Sequence, residues 1–190
     1  MKKNLLIALL MTVVTTVLLG IIYPLVVTGL AQLFFKDKAN GQLIVRNGEI
    51  LGSRIIGQAF TGPAYFHSRP SNAGSGYDAA NSNGSQLGPT NHALIDRVKA
   101  DVAANQADHP GEPVPIDLVT TSASGLDPHI TPAAAEFQVA RVAKERKASV
   151  EEVRRMVQQH TEERQFGFLG EARVNVLKLN LDLDAKFPKK

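Results

Sequence analysis

"NLLIALLMTVVTTVLLGIIYPLVVTGLAQLFF", residues 4–35, runs for 32 residues without one charged side chain. A bilayer core of about 30 Å is crossed by about 20 helical residues, so this stretch reads as a membrane-spanning helix with turns left over for tilt. Lys2 and Lys3 mark one edge, and Phe34, Phe35, Lys36 and Lys38 mark the other. The competing reading is a cleaved signal peptide, since the start is basic and Gly29-Leu30-Ala31 offers small residues to a peptidase. A signal h-region is about 7–15 residues long, and an apolar run of twice that length stays in lipid. The chain has no cysteine, which excludes a lipoprotein anchor, disulfides and thiolate metal sites.

Positive charge lies on both sides of the span, Lys2 and Lys3 before it and Lys36, Lys38, Arg46 and Arg54 after it, so the charge rule leaves orientation open. A long following domain translocates largely regardless of nearby charge. The expectation is therefore a single-pass signal anchor, amino end cytoplasmic, soluble domain outside. Thr12, Thr16, Gly20, Pro24 and Thr28 recur every four residues along it. Small residues at that spacing let a second helix approach closely in lipid, so this face is expected to pack on a partner helix. The plain alternative is a lone anchor whose threonines bond their own backbone and whose Pro24 makes a kink. One helix encloses neither a pore nor a midplane ion site, so any transport role is that of a subunit.

Residues 1–38 thus form the membrane helix and its flanks, and residues 39–190 an α+β soluble domain of short strands and several helices. Asn47-Gly48 between "LIVR" and "EILGSRIIGQ" predicts a two-residue hairpin turn. Residues 61–90, rich in Gly, Ser, Asn and Pro, predict a long irregular loop. A helix is expected from Asn91 to Ala107, with Leu94, Ile95, Val98 and Val102 as its buried stripe, ended by "DHPGEP". "VPIDLVT" reads as a strand. Thr131-Pro132 supplies a cap and a first-turn proline for a helix reaching about Lys147. Its Ala135, Val139, Val142 and Ala143 are expected inside, and its Glu136, Gln138, Arg141 and Lys144 in water. Ser149 with Glu152 predicts a capping box for the next helix, with Val150, Val153, Val157 and His160 as its stripe. "VNVLKLNLDLD" alternates like a half-buried strand, although its last residues also suit a terminal helix.

Chemistry finds little purchase. With 21 Lys+Arg against 18 Asp+Glu, the net charge is +3 and no basic run tracks phosphates. "GSRIIGQA" at 52–59 spaces two glycines like a P-loop but puts Gln58 and Ala59 where Lys and Ser or Thr are needed. The five histidines, His67, His92, His109, His129 and His160, show no zinc spacing. Ser122, Ser124, Asp127 and His129 include the residue types of a hydrolytic triad, but they crowd into eight residues without a nucleophile elbow. They read better as a turn in which Gly125 takes a positive φ.

"GSRIIGQAFTGPAYFHSRPS", "SASGLDPHITPAAAEFQVARVAK" and "VNVLKLNLDLD", in that order behind one amino-terminal span, resemble the C-subunit family of the Kdp high-affinity potassium-transporting P-type ATPases. The likeness covers essentially the whole chain. It implies a non-catalytic subunit needed for assembly and activity, partnered by a channel-like potassium-translocating subunit, a P-type ATP-hydrolysing subunit and a small membrane subunit. It implies no cofactor on this chain: ATP, Mg²⁺ and potassium are bound by the partners. Family descriptions include a catalytic chaperone that raises the ATP affinity of the pump subunit. An external domain instead suits docking over the ion entrance of the channel-like subunit. On that reading Tyr65, Phe66, Arg69 and Pro70, with Ser124, Gly125 and Asp127, form docking surfaces. A membrane-anchored envelope hydrolase and a cell-wall-binding module are the rivals.

Overall fold

The computed structural model describes residues 1–107 and 109–188; of the stretch expected to end the second helix, Asp108 lies outside them. Two units divide the chain, residues 1–51 and 52–190.

The first unit opens with one continuous helix, α1 (Lys2–Phe34), none of whose most apolar window is buried. Its middle, Thr16–Ile22, is π-helical, and this wider turn comes just before Pro24. A proline in a helix removes one hydrogen bond and crowds the carbonyl four residues earlier, and a π turn is a local adjustment that relieves such crowding. After a single turn at Lys36–Ala39 comes the hairpin of β1 (Leu43–Arg46) and β2 (Glu49–Ser53). Asn47 (φ 54°) and Gly48 (φ 83°) both have positive φ, the pair of values that a type I′ turn requires.

The second unit begins with a long segment without regular structure, followed by α2 (His92–Gln106). The Asn91 side chain caps α2 by accepting the Ala93 N–H at 2.9 Å. Leu94, Ile95, Val98 and Val102 are only half-buried, so the expected stripe lies at the margin of the core. "VPIDLVT" is not a strand: Ile116–Leu118 forms a 3₁₀ turn. Alternation fails because Asp117, with 4% exposure, points inside, where its carboxylate accepts the Thr131 N–H at 2.7 Å.

The centre is a three-stranded antiparallel sheet in the order β3 (His129–Ile130), β5 (Arg173–Asn175), β4 (Thr161–Glu162). Ile130 and Thr161 both register against Val174. Between β3 and β4 run α3 (Pro132–Arg146) and α4 (Val150–Gln159). Thr131 Oγ1 accepts the Ala134 N–H at 3.2 Å, and both halves of the Ser149/Glu152 capping box are formed. Val139, Val142 and Ala143 of α3 join Val153, Met156 and Val157 of α4 in one core. At the end of α4, His160 Nδ1 meets the Met156 carbonyl at 2.9 Å.

The expected terminal strand stops at Asn175, whose side chain accepts the Lys178 N–H at 3.1 Å and starts α5 (Val176–Lys186). Val176, Leu177, Leu179, Asn180 and Leu183 are its buried positions, and Val176, Leu179, Asn180 and Leu183 among them keep the spacing of three and four that belongs to a helix. The polar Asn180 among them conceals that stripe in the sequence.

Candidate functional site

Residues 63–69 begin in a turn, where the Tyr65 N–H donates to the Gly62 carbonyl at 3.1 Å, and run on as a strap against the core with no sheet partner among the described residues. An unpaired buried backbone group is costly, and here side chains take the place of a neighbouring strand. Asn180 accepts the Phe66 N–H through Oδ1 and donates to the Phe66 carbonyl through Nδ2, both at 2.9 Å. Gln138 treats His67 in the same way, accepting from its N–H at 2.7 Å and donating to its carbonyl at 3.2 Å. Arg141 donates to the carbonyls of Pro63 and Tyr65, and Arg146 to that of Ala64 at 2.8 Å. Gln138, expected in water, is therefore a buried strut, and Arg141 is a half-buried clasp.

The strap decides the fate of the aromatic pair. Phe66, expected on a docking surface, is fully buried in the core, because the two amides turn its ring inward. Tyr65 packs its ring against Phe60, beneath the Arg146 guanidinium, and its hydroxyl donates to Asp184 at 3.0 Å.

Arg69 then joins the strap to the 121–128 loop. Its guanidinium lies 3.4 Å from Asp117 and 3.8 Å from Asp127, and donates to the Thr120 carbonyl at 3.3 Å and hydroxyl at 3.1 Å. The loop is gripped from three sides. Gly57 N–H donates to the Leu126 carbonyl at 2.8 Å, Ser71 Oγ to that of Gly125 at 2.6 Å, and Ser82 Oγ to that of Ser124 at 2.9 Å. Gly125 has the expected positive φ, 69°, and is buried, so it shapes the loop from within rather than presenting a contact. Ser124 stays exposed, while Arg69, Pro70 and Asp127 are half-exposed. The two segments singled out in the sequence thus meet in one rigid surface.

Burial alone would raise the Asp127 carboxyl. Hydrogen bonds from the His129 side chain and backbone and the positive charges nearby outweigh it and hold the group below the usual carboxylate range. His129 Nδ1 lies 3.5 Å from Asp127, and its Nε2 lies 3.5 Å from the Asn175 amide. Ser124 Oγ instead accepts the Leu126 N–H at 3.1 Å and lies 3.4 Å from Ser122 Oγ. No Ser–His hydrogen bond links this cluster among the described residues, and its geometry is that of a turn. The described residues also contain no group of three or more His, Asp or Glu placed to hold a metal ion.

The membrane stripe has a geometry of its own. Four residues overshoot one α-helical turn of about 3.6 residues, so a stripe spaced by four drifts around an ideal α-helix. A π turn closes i→i+5, and four residues fall short of completing it. The π segment Thr16–Ile22 therefore reverses the drift and keeps Thr12, Thr16, Gly20, Pro24 and Thr28 near one face. Thr12 Oγ1 donates to its own helix at the Ala8 carbonyl, 2.9 Å away, as the plain-anchor reading expects of its threonines.

One exposed membrane-length helix joined to a small α+β domain defines a single-pass membrane-associated protein. Residues 5–185 match the family described as KdpC: K+-transporting ATPase, c chain. A potassium-transporting ATPase KdpC subunit of Koribacter versatilis is 70% identical over 188 residues, covering 99% of this chain and 97% of the relative. The one from Acidobacterium capsulatum is 58% identical, covering 93% and 95%. The one from Rhodospirillum rubrum is 55% identical, covering 95% of each. The chain belongs to the KdpC family, subunits of the potassium-transporting ATPase.

Proposed function

We propose that this chain is the non-catalytic docking subunit of its ATPase complex, held laterally by α1 and setting its soluble domain over the ion entrance of the channel-like subunit, outside the cytoplasm. The observation that carries this reading is α1 itself: 33 residues long, with a most apolar window of mean hydropathy 2.8 of which none is buried. Such a surface is at rest only among lipid tails and other helices. Its small-residue face, Thr12, Thr16, Gly20, Pro24 and Thr28, packs on a membrane helix of the complex. The rigid surface carrying Arg69, Pro70, Ser124 and Asp127, stiffened from beneath by Tyr65, Phe66 and Gly125, meets the channel-like subunit. Preorganisation of this kind lowers the entropy lost on docking.

ATP, Mg²⁺ and potassium are handled by the partners, with the P-type subunit hydrolysing ATP and a small membrane subunit completing the assembly. The stretch at 52–59 supports this division, since it has neither the lysine nor the hydroxyl of a phosphate cradle. A catalytic chaperone raising ATP affinity would need the soluble domain on the cytoplasmic side. A reporter fused after Lys190 separates the two readings. Activity only outside the cytoplasm is the expected result, and activity only in the cytoplasm would overturn entrance docking.

A further inference from the structure

Residues 164–170 form a closed turn that holds apolar side chains out in water. Gln165 and Leu169 exchange both backbone hydrogen bonds, each 2.9 Å, and Arg164 pairs with Glu171 across the neck. From this turn project Phe166, 87% exposed, and Phe168, 71% exposed, with Leu169 beside them. Phe166 has φ 54°, a backbone conformation in which a bulky residue is an outlier and Gly or Asn the easy choice. A ring kept at such a position and left in solvent contributes nothing to the core. Exposed apolar clusters on a stiff support are the usual mark of a contact site.

Two observations select the occupant. Arg164, Arg173 and Lys178 are balanced by Glu162, Glu163 and Glu171, and Glu162 lies 3.2 Å from Arg173 and 3.1 Å from Lys178. That leaves no surplus of positive charge to draw the turn to anionic lipid heads. Three side chains also fall far short of the ~1,200–2,000 Å² that a stable protein pair buries, so the turn cannot hold a second copy by itself. It suits a chain already tethered elsewhere, where a small anchor works at high effective concentration.

We infer that this turn is an aromatic anchor, inserting Phe166 and Phe168 into an uncharged apolar pocket on an extramembrane face of another subunit of the potassium-transporting ATPase. The inference rests on the docking reading above but not on which side of the membrane the domain occupies.

The test places photoreactive benzoylphenylalanine at position 168, and separately at position 16 on α1, in the full chain within cells making the complex. Position 168 is expected to yield an adduct with another subunit. An adduct with a second copy, an adduct with lipid only, or no adduct while position 16 captures a subunit overturns the anchor and leaves docking standing. Failure at both positions brings down both. In a second measurement, the Phe166→Ser/Phe168→Ser chain should keep its melting temperature, since both rings are exposed. Its retention by the complex in detergent at raised salt should fall about tenfold or more. Unchanged retention overturns the anchor.

Discussion

Arg146→Ala is expected to destabilise the soluble unit by about 3 kcal/mol, the lower end of the cost of breaking a buried charge pair. The Arg146 side chain is 1% exposed and lies 2.7 Å from the Asp184 carboxylate. It also donates to the Ala64 carbonyl at 2.8 Å and the Phe187 carbonyl at 2.9 Å, and its guanidinium sits 4.7 Å above the Tyr65 ring. One side chain thus ties the strap to α3 and to the end of α5. Its removal strands both carbonyls, while Asp184, 35% exposed, recovers part of its loss from water. Lysine is expected to rescue little, since an ammonium cannot reproduce the planar fork that reaches several acceptors at once. Denaturant unfolding of the full chain in detergent, followed by tyrosine fluorescence, measures the effect. A loss below about 1 kcal/mol would place the pair among ordinary surface ion pairs and refute the strap as a structural member.

Gly125→Ala is expected to cost about as much for a different reason. At φ 69° an L-residue carries about 1–2 kcal/mol of left-handed strain. An added Cβ would also stand 2.6 Å from the Asn83 carbonyl oxygen and 2.8 Å from the Ala73 nitrogen. Both are backbone atoms, which cannot rotate away, so overpacking adds about 1–3 kcal/mol. Gly111→Ala is the control: its φ is 81°, but nothing lies within 4 Å, so only the strain applies. Equal losses in the two variants, in the same unfolding measurement, would show that the close approach carries no weight.

The positive φ of Gly125 is legible in the sequence, whereas the distant atoms that crowd Gly125 and surround Arg146 are not. The membrane helix, the Asn47-Gly48 turn, the Thr131 cap and the Ser149/Glu152 box are local, each announced within a few neighbours. The strap is not local: Phe66 finds Asn180 across 114 residues and His67 finds Gln138 across 71, and no short window relates them. Polar residues inside the core also blurred the periods. Asn180 interrupts the helical stripe of α5 and leaves Leu177, Leu179, Leu181 and Leu183 looking like a strand. Asp117 did the same for its 3₁₀ turn. A polar residue standing at a core position of a helical repeat is the signal that would have found these struts. The candidate site was legible as two loop segments, whereas their union through Arg69 was not. The exposed turn at 164–170 has no period to detect and emerges only from its accessibility.

The account depends on α1 remaining in lipid and binding sideways to other chains. Extracting membranes with a mild detergent and isolating the full chain through a carboxy-terminal tag tests this most directly. The predicted outcome is an uncleaved chain that brings the channel-like, P-type and small membrane subunits with it, together with potassium-stimulated ATPase activity. Recovery of the chain alone from the water-soluble fraction, beginning at Gln32, would contradict it.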